Sequence, residues 1–568
     1  MKIKHLFGLA VIAAMTASCS SNEDLGTAGP GTGNNEAGVG YATFTINLPT
    51  TSGTRADANP EFDKGDANEY KVNDATLLIF KKDATGYQFM ESVDLGNMEP
   101  WTSSSTDGIT TTAKLTAKIT KAEVGSDKGY YALIILNNNS KTAAKITEPS
   151  DQTYEEWSKD DKKVNVTNYL KHDNGFFMAN APKYVAGAPE TLVEIKNIYA
   201  SKQQAENSTA TTVYVERGLA KVSLASTSSE HVDISGGNYD GDHVDITGWT
   251  LDVTNTKTFP IHVTEGLWAD TWKTTATTAA TNGATMDRFH DTKLTEFPRV
   301  YWGLDPNYSK SFASVADCEG EFKMATTADF KKGEDAKKAQ YCLENTFDID
   351  HMVQGQTTRV LFSATYTPNG FHAGDTFYKM GNSSQLWNAT KVEAQIKAKA
   401  MEVLGVTDDA KVGVTLNAPT NDLTKAGVHL VAAANITYGT TALAPEKVDQ
   451  INAKLGFKKT EAGDVEVGLS TFESGVSYYI ARVKHFGDAL TPWNPGNKTY
   501  DKNNANWLGR YGVLRNNWYE LTVNSVSGPG YPDIPKVNPT DPDDVNDQYI
   551  NVEVKILSWA KRSQKVDL

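Results

Sequence analysis

Residues 212–224 read TVYVERGLAKVSL, a run rich in valine and leucine that predicts a β-strand. Short segments of the same kind recur along the chain between turn signals. They read DATLLIFK at 74–81, GYYALIIL at 129–136, ITGWTLDV at 246–253, TRVLFSATY at 358–366, VSYYIARV at 476–483 and WYELTVNSV at 518–526. Many short strands with long connections favour β-sandwiches over alternating strands and helices. The predicted fold class is therefore mainly β.

Two segments break this pattern and predict surface helices inside a long insertion between strands of the second domain. In residues 389–404 and 445–455, apolar residues recur at helical spacing, and a glycine follows as a C-cap. The apolar residues are Val392, Ile396, Ala400 and Val403 in the first segment and Val448, Ile451 and Leu455 in the second, and the glycines are Gly405 and Gly456.

Composition limits the class of protein. The 568 residues predict two or three domains, and 39% hydrophobic with 22% charged residues is ordinary for a folded protein. The net charge of −15 disfavours nucleic acid as a partner, because no basic surface is evident to bind phosphates. After the first twenty residues, no apolar run reaches the roughly 18 residues of a membrane-spanning helix.

The N-terminus predicts export and lipidation. A basic start, MKIKH, precedes an apolar stretch over residues 6–15 and the small residues that lead into Cys19. This pattern is typical of a lipoprotein signal in which Cys19 carries the lipid and becomes the new N-terminus. The hydrophilic stretch SSNED at 20–24 resembles the surface-export signal of some Gram-negative lipoproteins.

A glycine-rich linker over residues 20–40 then leads to a predicted strand at 41–48. Phe44, Ile46 and Leu48 lie on one face of that strand by the period of two. The run PTTSGT follows and ends at Arg55 and Ala56.

The C-terminus predicts a strand on a tether. Residues 527–548 contain five prolines and many aspartates, which predict an extended linker. Beyond it, apolar residues alternate with Asn551, Glu553 and Lys555, and Trp559 follows. The apolar residues are Ile550, Val552, Val554 and Ile556. Because an isolated edge strand is an aggregation hazard, we expect a neighbouring chain to receive it.

The sequence gives little support for a catalytic or metal-binding site. No zinc spacing, H-E-x-x-H or G-x-S-x-G is present, so no enzyme activity, cofactor or metal is predicted. Residues 231–245 gather two His and four Asp, and acidic residues cluster at 541–547, but a solvated hairpin and a polar linker explain them better. Cys318 and Cys342 are compatible with a disulfide or with two free buried thiols.

Several of these segments resemble the fimbrilins that build type V pili. VYVERGLAKVSL (213–224) resembles their V-E-R-x-x-A-[KR] strand, and YCLENTFD (341–348), TTRVLFSATY (357–366) and RNNWYELTV (515–523) are similar to elements of their second domain. VEVKILSWAKRSQKVDL (552–568) most resembles the end of the shaft subunit of the minor, Mfa-type fimbria.

The resemblance implies two tandem transthyretin-like β-sandwich domains and export to the outer membrane as a lipoprotein. An arginine-specific protease would then cut between Arg55 and Ala56 and remove the first strand, with Phe44, Ile46 and Leu48. The C-terminal strand of the next identical subunit would fill the groove left behind. Further implied partners are tip and anchor subunits of the pilus and host or bacterial surface receptors.

The predicted organisation has six parts. These are a signal peptide (1–19), a propeptide (20–55), an N-terminal β-sandwich (56–226), a C-terminal β-sandwich with the helical insertion (227–527), a proline-rich linker (528–548) and the donor strand (549–568).

Two other functions remain open from the sequence. One is a tip or anchor component of the same pilus, which would not need the cut at Arg55. The other is a surface carbohydrate-binding lipoprotein with exposed Trp residues, which would not need a tethered C-terminal strand.

Overall fold

The structure is a computed structural model. It describes residues 39–49, 66–96, 102–103, 109–138, 146–160, 164–171, 173, 175–186, 188–226, 228, 230–264, 289–290, 297–308, 310, 312–461, 463–486, 491, 507–544 and 550–558.

Among its described residues, the N-terminal half contains strands and four short helices. The strands are β1 (Gly40–Pro49), β2 (Ala75–Asp83), β3 (Gly86–Asp94), β4 (Thr102–Ser103), β5 (Ile109–Ile119), β6 (Gly125–Leu136), β7 (Met178–Asn180), β8 (Lys183–Val185), β9 (Ala188–Glu190), β10 (Val193–Ile198) and β11 (Thr211–Arg217). The helices are α1 (Ala67–Tyr70), α2 (Tyr154–Ser158), α3 (Val166–Tyr169) and α4 (Lys202–Glu206).

Nine of these strands form one sheet, in the order β3-β2-β6-β7-β11-β1-β5-β4, with β10 paired to β6. The sheet folds over so that one face of β1, β5 and β11 packs on one face of β2, β6 and β10 in a single apolar core. The opposite face of β2 and β6 packs against Trp157, Tyr169 and Phe176 in a second core. Alternate residues of β2 and β6 thus enter two cores, which explains their nearly unbroken apolar sequences.

The C-terminal half begins with β12 (Leu219–Leu224), β13 (His231–Asp233), β14 (His243–Asp252), β15 (Thr254–Asn255), α5 (Val315–Glu319), β16 (Phe322–Lys323), β17 (Lys331–Lys332), β18 (Gln340–Leu343) and β19 (Arg359–Thr367). An insertion follows, with β20 (Phe377–Met380), β21 (Leu386–Trp387), α6 (Ala389–Leu404), β22 (Val412–Val414), β23 (Asn417–Ala418), β24 (Asn421–Asp422), β25 (Gly427–His429), β26 (Ile436–Tyr438), β27 (Thr441–Ala442), α7 (Pro445–Lys454), β28 (Lys458–Lys459), β29 (Val465–Val467) and β30 (Leu469–Phe472). The last strands of the described part are β31 (Val476–Arg482), β32 (Asn517–Val526) and β33 (Ile550–Ser558).

Two sheets form the C-terminal sandwich. One has the order β18-β12-β32-β33 and the other β13-β14-β19-β31. Their facing side chains build one core around Trp249, Phe362 and Tyr519, which are all fully buried. The mainly β fold class is confirmed.

The insertion between β19 and β31 has an apolar core of its own. Both predicted helices lie in it. Helix α6 buries Val392, Ile396 and Ala400 and ends at Gly405, whose φ of 67° is left-handed. Helix α7 starts with Pro445 and buries Val448 and Ile451.

The chain crosses between the two halves at Gly218. The run predicted as one strand over 212–224 is two, since β11 belongs to the N-terminal sheet and β12 to the C-terminal sandwich. The crossing therefore precedes the boundary predicted between residues 226 and 227. A side chain at Gly218 would collide with the Tyr169 hydroxyl, because a Cβ there would lie 1.6 Å from its oxygen.

Buried ion pairs surround this crossing. Glu216 accepts hydrogen bonds from Arg299 Nη2 at 2.6 Å and Nε at 3.0 Å, and its other oxygen lies 2.6 Å from His262 Nδ1. Lys221 Nζ lies 2.7 Å from the Glu69 carboxylate, to which the Tyr341 hydroxyl also donates. Each charge is thus paired where it leaves water, as burial requires.

The charges shift the pKa values of this cluster. Burial alone would raise the pKa of Glu216, but Arg299 and His262 together lower it to about 2. Burial lowers the pKa of Arg217 to about 10, although Glu69 opposes the change. Because the Glu216 pKa is depressed below its ordinary value of 4.5, the stability it contributes is present above pH 4.5 and is lost as the pH falls towards 2.

We predict that Glu216→Gln lowers the free energy of unfolding by about 3–5 kcal/mol, because it leaves Arg299 buried without its carboxylate. Denaturant unfolding near pH 7 measures this. The matched control is Glu206→Gln, which removes an exposed partner of Lys202 and should change stability by about 0.5 kcal/mol or less. Equal small effects of the two substitutions would contradict the importance of the buried pair.

Candidate functional site

Strand β1 lies inside the N-terminal sheet. It pairs in parallel with β11, with Phe44 opposite Thr211 and Asn47 opposite Tyr214. On its other side it pairs antiparallel with β5, from Gly40 opposite Ile119 to Leu48 opposite Thr111. We call the space that β1 fills between β5 and β11 the β1 groove.

One face of β1 is a row of core residues. Ala42, Phe44, Ile46 and Leu48 are at most 1% exposed and pack in the core shared with β2, β6 and β10. The sequence predicted this face correctly for Phe44, Ile46 and Leu48. Burial of each of these three large side chains contributes roughly 1.5–3 kcal/mol. Their sum is comparable to the net stability of a domain.

The other face of β1 is polar and bonded to β5. The Thr43 and Thr116 hydroxyls lie 2.8 Å apart, and the Thr112 hydroxyl donates to Asn47 Oδ1 at 2.7 Å. These cross-strand pairs mark which side chains of β5 meet an occupant of the groove.

Strand β5, which is one wall of the groove, was not among the strands predicted from the sequence. Its sequence ITTTAKLTAKI contains few large apolar residues, so its strand pattern is weak. The available signal was the alternation of Ala113, Leu115, Ala117 and Ile119, all of which belong to or pack against the N-terminal core.

Strand β33 is not isolated from its own domain, contrary to the prediction. It pairs antiparallel with β32 at the edge of the C-terminal sandwich. The alternating positions Ile550, Val552, Val554 and Ile556 are opposite β32 residues of the core, namely Val526, Val523, Leu521 and Tyr519. A strand in which apolar and polar residues alternate can pair with any exposed sheet edge whose side chains alternate in the same way, and β32 offers such an edge.

The predicted proline-rich linker is packed on the domain. We call residues 528–544 the strap. All five of its prolines are buried, and they are Pro529, Pro532, Pro535, Pro539 and Pro542. Val537 of the strap packs with Val253, Cys318 and Phe322 in a small apolar core. The prediction of an extended segment fits, but that of a free linker is wrong.

Side chains of the sandwich hold the strap through its carbonyl groups. Arg359 Nη2 donates to the Pro535 carbonyl at 2.7 Å, and Gln356 Nε2 donates to that of Pro539 at 3.2 Å. Tyr478 and Tyr531 exchange two backbone hydrogen bonds of 2.9 Å, which extend the edge of β31. Proline lacks an N–H but keeps its carbonyl, so such a segment is well held by donors from the domain.

Two aspartates fix the end of the strap. Asp543 is buried, lies 3.2 Å from Arg482 Nη1 and accepts from the Thr357 hydroxyl at 2.7 Å. Asp544 accepts from Arg510 Nε at 2.9 Å and from the Tyr511 hydroxyl at 2.7 Å. Both were predicted to be residues of a solvated polar linker, but each is the partner of an arginine.

Four predicted site residues lie outside the described residues: Cys19, Arg55, Ala56 and Trp559. The predicted cut at Arg55 falls between the end of β1 at Pro49 and the start of α1 at Ala67.

Cys318 and Cys342 are free and buried, so the disulfide that the sequence left open is not formed. They belong to different apolar cores, one beside the strap and one inside the sandwich. Burial raises the pKa of Cys318 to about 11 and that of Cys342 to about 12, so both are thiols rather than thiolates at neutral pH.

The hairpin of β13 and β14 carries the acidic and histidine-rich segment. His231 lies 2.6 Å from Asp245, and Asp242 is buried and accepts from the Tyr366 hydroxyl. Within the described part of the chain, no group of three or more His, Cys, Asp or Glu is arranged to hold a metal ion. The described helices also include none long and apolar enough to cross a bilayer.

Residues 470–565 match the sequence model of the family described as the C-terminal part of fimbrillin, the major fimbrial subunit protein of type IV. This part of the chain is thus similar in sequence to the C-terminal part of the fimbrillins. The matched region includes β31, β32, the strap and β33. A search of curated proteins found no match.

Solved structures similar to this chain include a cell adhesion protein and two fimbrial proteins. A cell adhesion protein of Parabacteroides distasonis has 10% identity and a TM-score of 0.39, over 92% of this chain and 99% of that one. A fimbrilin of Porphyromonas gingivalis has 12% identity and a TM-score of 0.36, over 92% and 99%. The tip fimbrial protein Mfa3 of P. gingivalis has 13% identity and a TM-score of 0.26, over 59% and 83%.

We predict that Asp543→Asn loosens the strap and lowers the free energy of unfolding by about 3–5 kcal/mol, because Arg482 loses a buried carboxylate. The hydrogen-exchange rates of the strap amides should increase at the same time. Asp533→Asn, at an exposed strap position, is the matched control and should leave both quantities unchanged. Unchanged exchange in the Asp543 variant would show that this pair does not hold the strap.

Proposed function

We propose that this fimbrial subunit is the structural shaft subunit of a cell-surface type V pilus that supports adhesion and biofilm formation. The precursor is exported as a lipoprotein through Cys19 to the outer membrane. Cleavage after Arg55 by an arginine-specific protease removes β1, and β33 of an adjacent identical subunit fills the β1 groove. The single observation that carries the proposal is the position of β1, a core strand that precedes the predicted cut and has a strand on each side.

The loss of β1 would leave an unstable groove. Three large apolar side chains leave the core, and the backbone edges of β5 and β11 lose their partner. Exposed apolar surface flanked by two free edges favours the binding of a new strand with the same alternation. The sequence of β33 has that alternation at Ile550, Val552, Val554 and Ile556.

Exchange of β33 is favourable on hydrogen-bond grounds. In its own subunit β33 is an edge strand and pairs with β32 alone among the described strands. In the β1 groove it would pair with β5 and β11 together. A second ladder of backbone hydrogen bonds, at a net ~0.5–1.5 kcal/mol each, offsets the loss of pairing with β32 and the entropy of association.

The remaining partners follow from the same proposal. Tip and anchor subunits would end the filament, and host or bacterial surface receptors would bind it. A tip or anchor role for this chain would give discrete particles after protease treatment, whereas the shaft role gives long filaments. Electron microscopy of the cleaved protein separates these outcomes.

We predict that Arg55→Ala blocks polymerisation without unfolding the subunit. The retained β1 would occupy its groove at a very high effective concentration and exclude β33 of a neighbour. Filaments counted by electron microscopy, with the mature N-terminus determined by sequencing, measure the effect. Filaments whose subunits begin upstream of Ala56 would contradict it.

We predict that Val552→Asp with Val554→Asp abolishes the ladder of SDS-resistant oligomers, because two carboxylates would enter an apolar groove without partners. Deletion of residues 549–568 should also leave monomers, folded but less stable since β32 loses a neighbour. Glu553→Lys is the control on the alternate face and should assemble. A normal ladder from the truncated chain would exclude β33 as the donor.

A further inference from the structure

A surface cleft of about 580 Å³ lies beside the first residue of β1, between the start of β6, the end of β10 and helix α4. Its position follows from Gly40, because a Cβ there would lie 2.3 Å from Ile198 Cγ2 and 3.5 Å from Val124 Cγ2, two atoms of lining residues. Eleven described residues line the cleft. We call it the α4 cleft.

Paired backbone holds the walls of the α4 cleft in place. Strand β10 is antiparallel to β6, with Asn197 opposite Ser126, and the Ser126 hydroxyl donates to Asn197 Oδ1 at 2.5 Å. Tyr199 exchanges two backbone hydrogen bonds of 2.8 Å with Tyr41 of β1. Helix α4 follows directly and is anchored by the buried Ala205. The cleft therefore exists before any ligand arrives, as is usual for small-molecule sites.

The lining of the α4 cleft contains no ionisable acid or base. None of the eleven described lining residues is Asp, Glu, Lys, Arg or His, although these charged types without His make up 22% of the chain. Charged side chains of the same segments pair with one another, since Lys202 Nζ lies 3.7 Å from Glu206 and Lys128 Nζ lies 3.7 Å from Glu123. A charged ligand would thus lose water without gaining a counter-charge, so the cleft favours an uncharged ligand.

Hydrogen-bonding groups dominate the lining instead. Six of the eleven residues carry a side-chain amide or hydroxyl, and the amides of Gln203, Gln204 and Asn207 form no hydrogen bond to another residue in the part of the chain that the structure describes. Amides present donors and acceptors side by side. A sugar hydroxyl also donates and accepts, so a row of such groups matches a saccharide better than it matches an apolar molecule.

Apolar surface completes the match to a sugar ring. Val124 is 39% exposed and is one of the few exposed large hydrophobic residues among those described. Tyr199 offers the one aromatic ring of the described lining, and no tryptophan is part of it. The C–H face of a sugar ring packs well on such a surface while its hydroxyls bond to the rim.

An extended peptide fits the α4 cleft less well. A peptide that binds as an added strand depends on unpaired backbone N–H and C=O groups. Both backbone groups of Tyr199 are bonded to Tyr41, and Ile198 is paired with Gly125 of β6. Recognition in the cleft therefore falls mainly to side chains, whose amides and hydroxyls suit a polyhydroxylated ligand.

We propose that the α4 cleft is a binding site for a short neutral oligosaccharide. Gln203, Gln204 and Asn207 bond to its hydroxyls, and Val124 with Tyr199 contacts the apolar face of a ring. The volume lies within the roughly 300–1,000 Å³ that is typical of ligand sites. The inference is independent of strand exchange, because the cleft is described with β1 in place.

Binding of the purified, uncleaved full chain to an array of neutral and acidic glycans tests the ligand class. Neutral glycans should bind, and the affinity for them, measured by titration, should change less than about two-fold between low and high salt, because no ion pair forms. Neutral glycans of mammalian and of bacterial surfaces are placed in separate sets, so the array also tells which surface supplies the ligand.

Paired alanine substitutions locate the site. Gln203→Ala with Asn207→Ala should weaken binding of the neutral glycan at least ten-fold, since both rim amides are lost. The matched control is Asn382→Ala with Gln450→Ala, which removes two exposed amides of the distant insertion and should bind as the unmodified chain does. All four positions are exposed, so neither pair should shift the midpoint of denaturant unfolding.

Several results would overturn the proposal. The absence of any bound neutral glycan, or equal binding by the Gln203 and Asn207 variant, excludes the α4 cleft as a saccharide site. A preference for acidic glycans, or an affinity that falls steeply with salt, excludes the neutral chemistry. Binding of library peptides in the cleft, with no glycan bound, assigns it to a peptide instead. Filament formation is measured separately, so failure here leaves the proposed shaft role untouched.

Discussion

The N-terminal half of the protein depends on the packing of Phe44, Ile46 and Leu48 against the inner faces of β2, β6 and β10. The strand that supplies these side chains also joins β5 to β11, which have no direct pairing with each other among the described strands. A single segment thus fills the core and closes the sheet. Any process that removes it must supply a replacement, because its contribution is comparable to the net stability of a domain.

The C-terminal half meets a different constraint, which is the burial of charge. Glu216, Arg299 and His262 at the crossing, and Asp543 with Arg482 at the end of the strap, are all removed from water and paired. Ion pairs of this kind add little net stability over apolar packing, but breaking one is strongly destabilising. They therefore fix one arrangement of the crossing and of the strap.

The sequence predicted the elements whose pattern is local. Periodicity within ten to sixteen residues predicted the buried face of β1 and the strand at 550–558. It also predicted the apolar faces of α6 and α7 and the glycines that cap them. The wall strand β5 was missed because threonine and lysine dominate it, and the strap was misjudged because prolines and aspartates are typical of solvated linkers. Their structural roles come from partners far along the chain, and no local pattern contains that information. Thr357 and Asp543, for example, are 186 positions apart.

The insertion between β19 and β31 is attached through a narrow base. Phe377 and Phe472 stack there at 4.4 Å, and the Gly381 N–H donates to the Gly468 carbonyl at 2.9 Å, so the chain leaves and returns at adjacent points. Because the lobe beyond these glycines has its own core, its surface is free to diversify without disturbing the sandwich. The lobe is therefore a suitable place to insert a foreign peptide or domain, which each copy of the protein would then display.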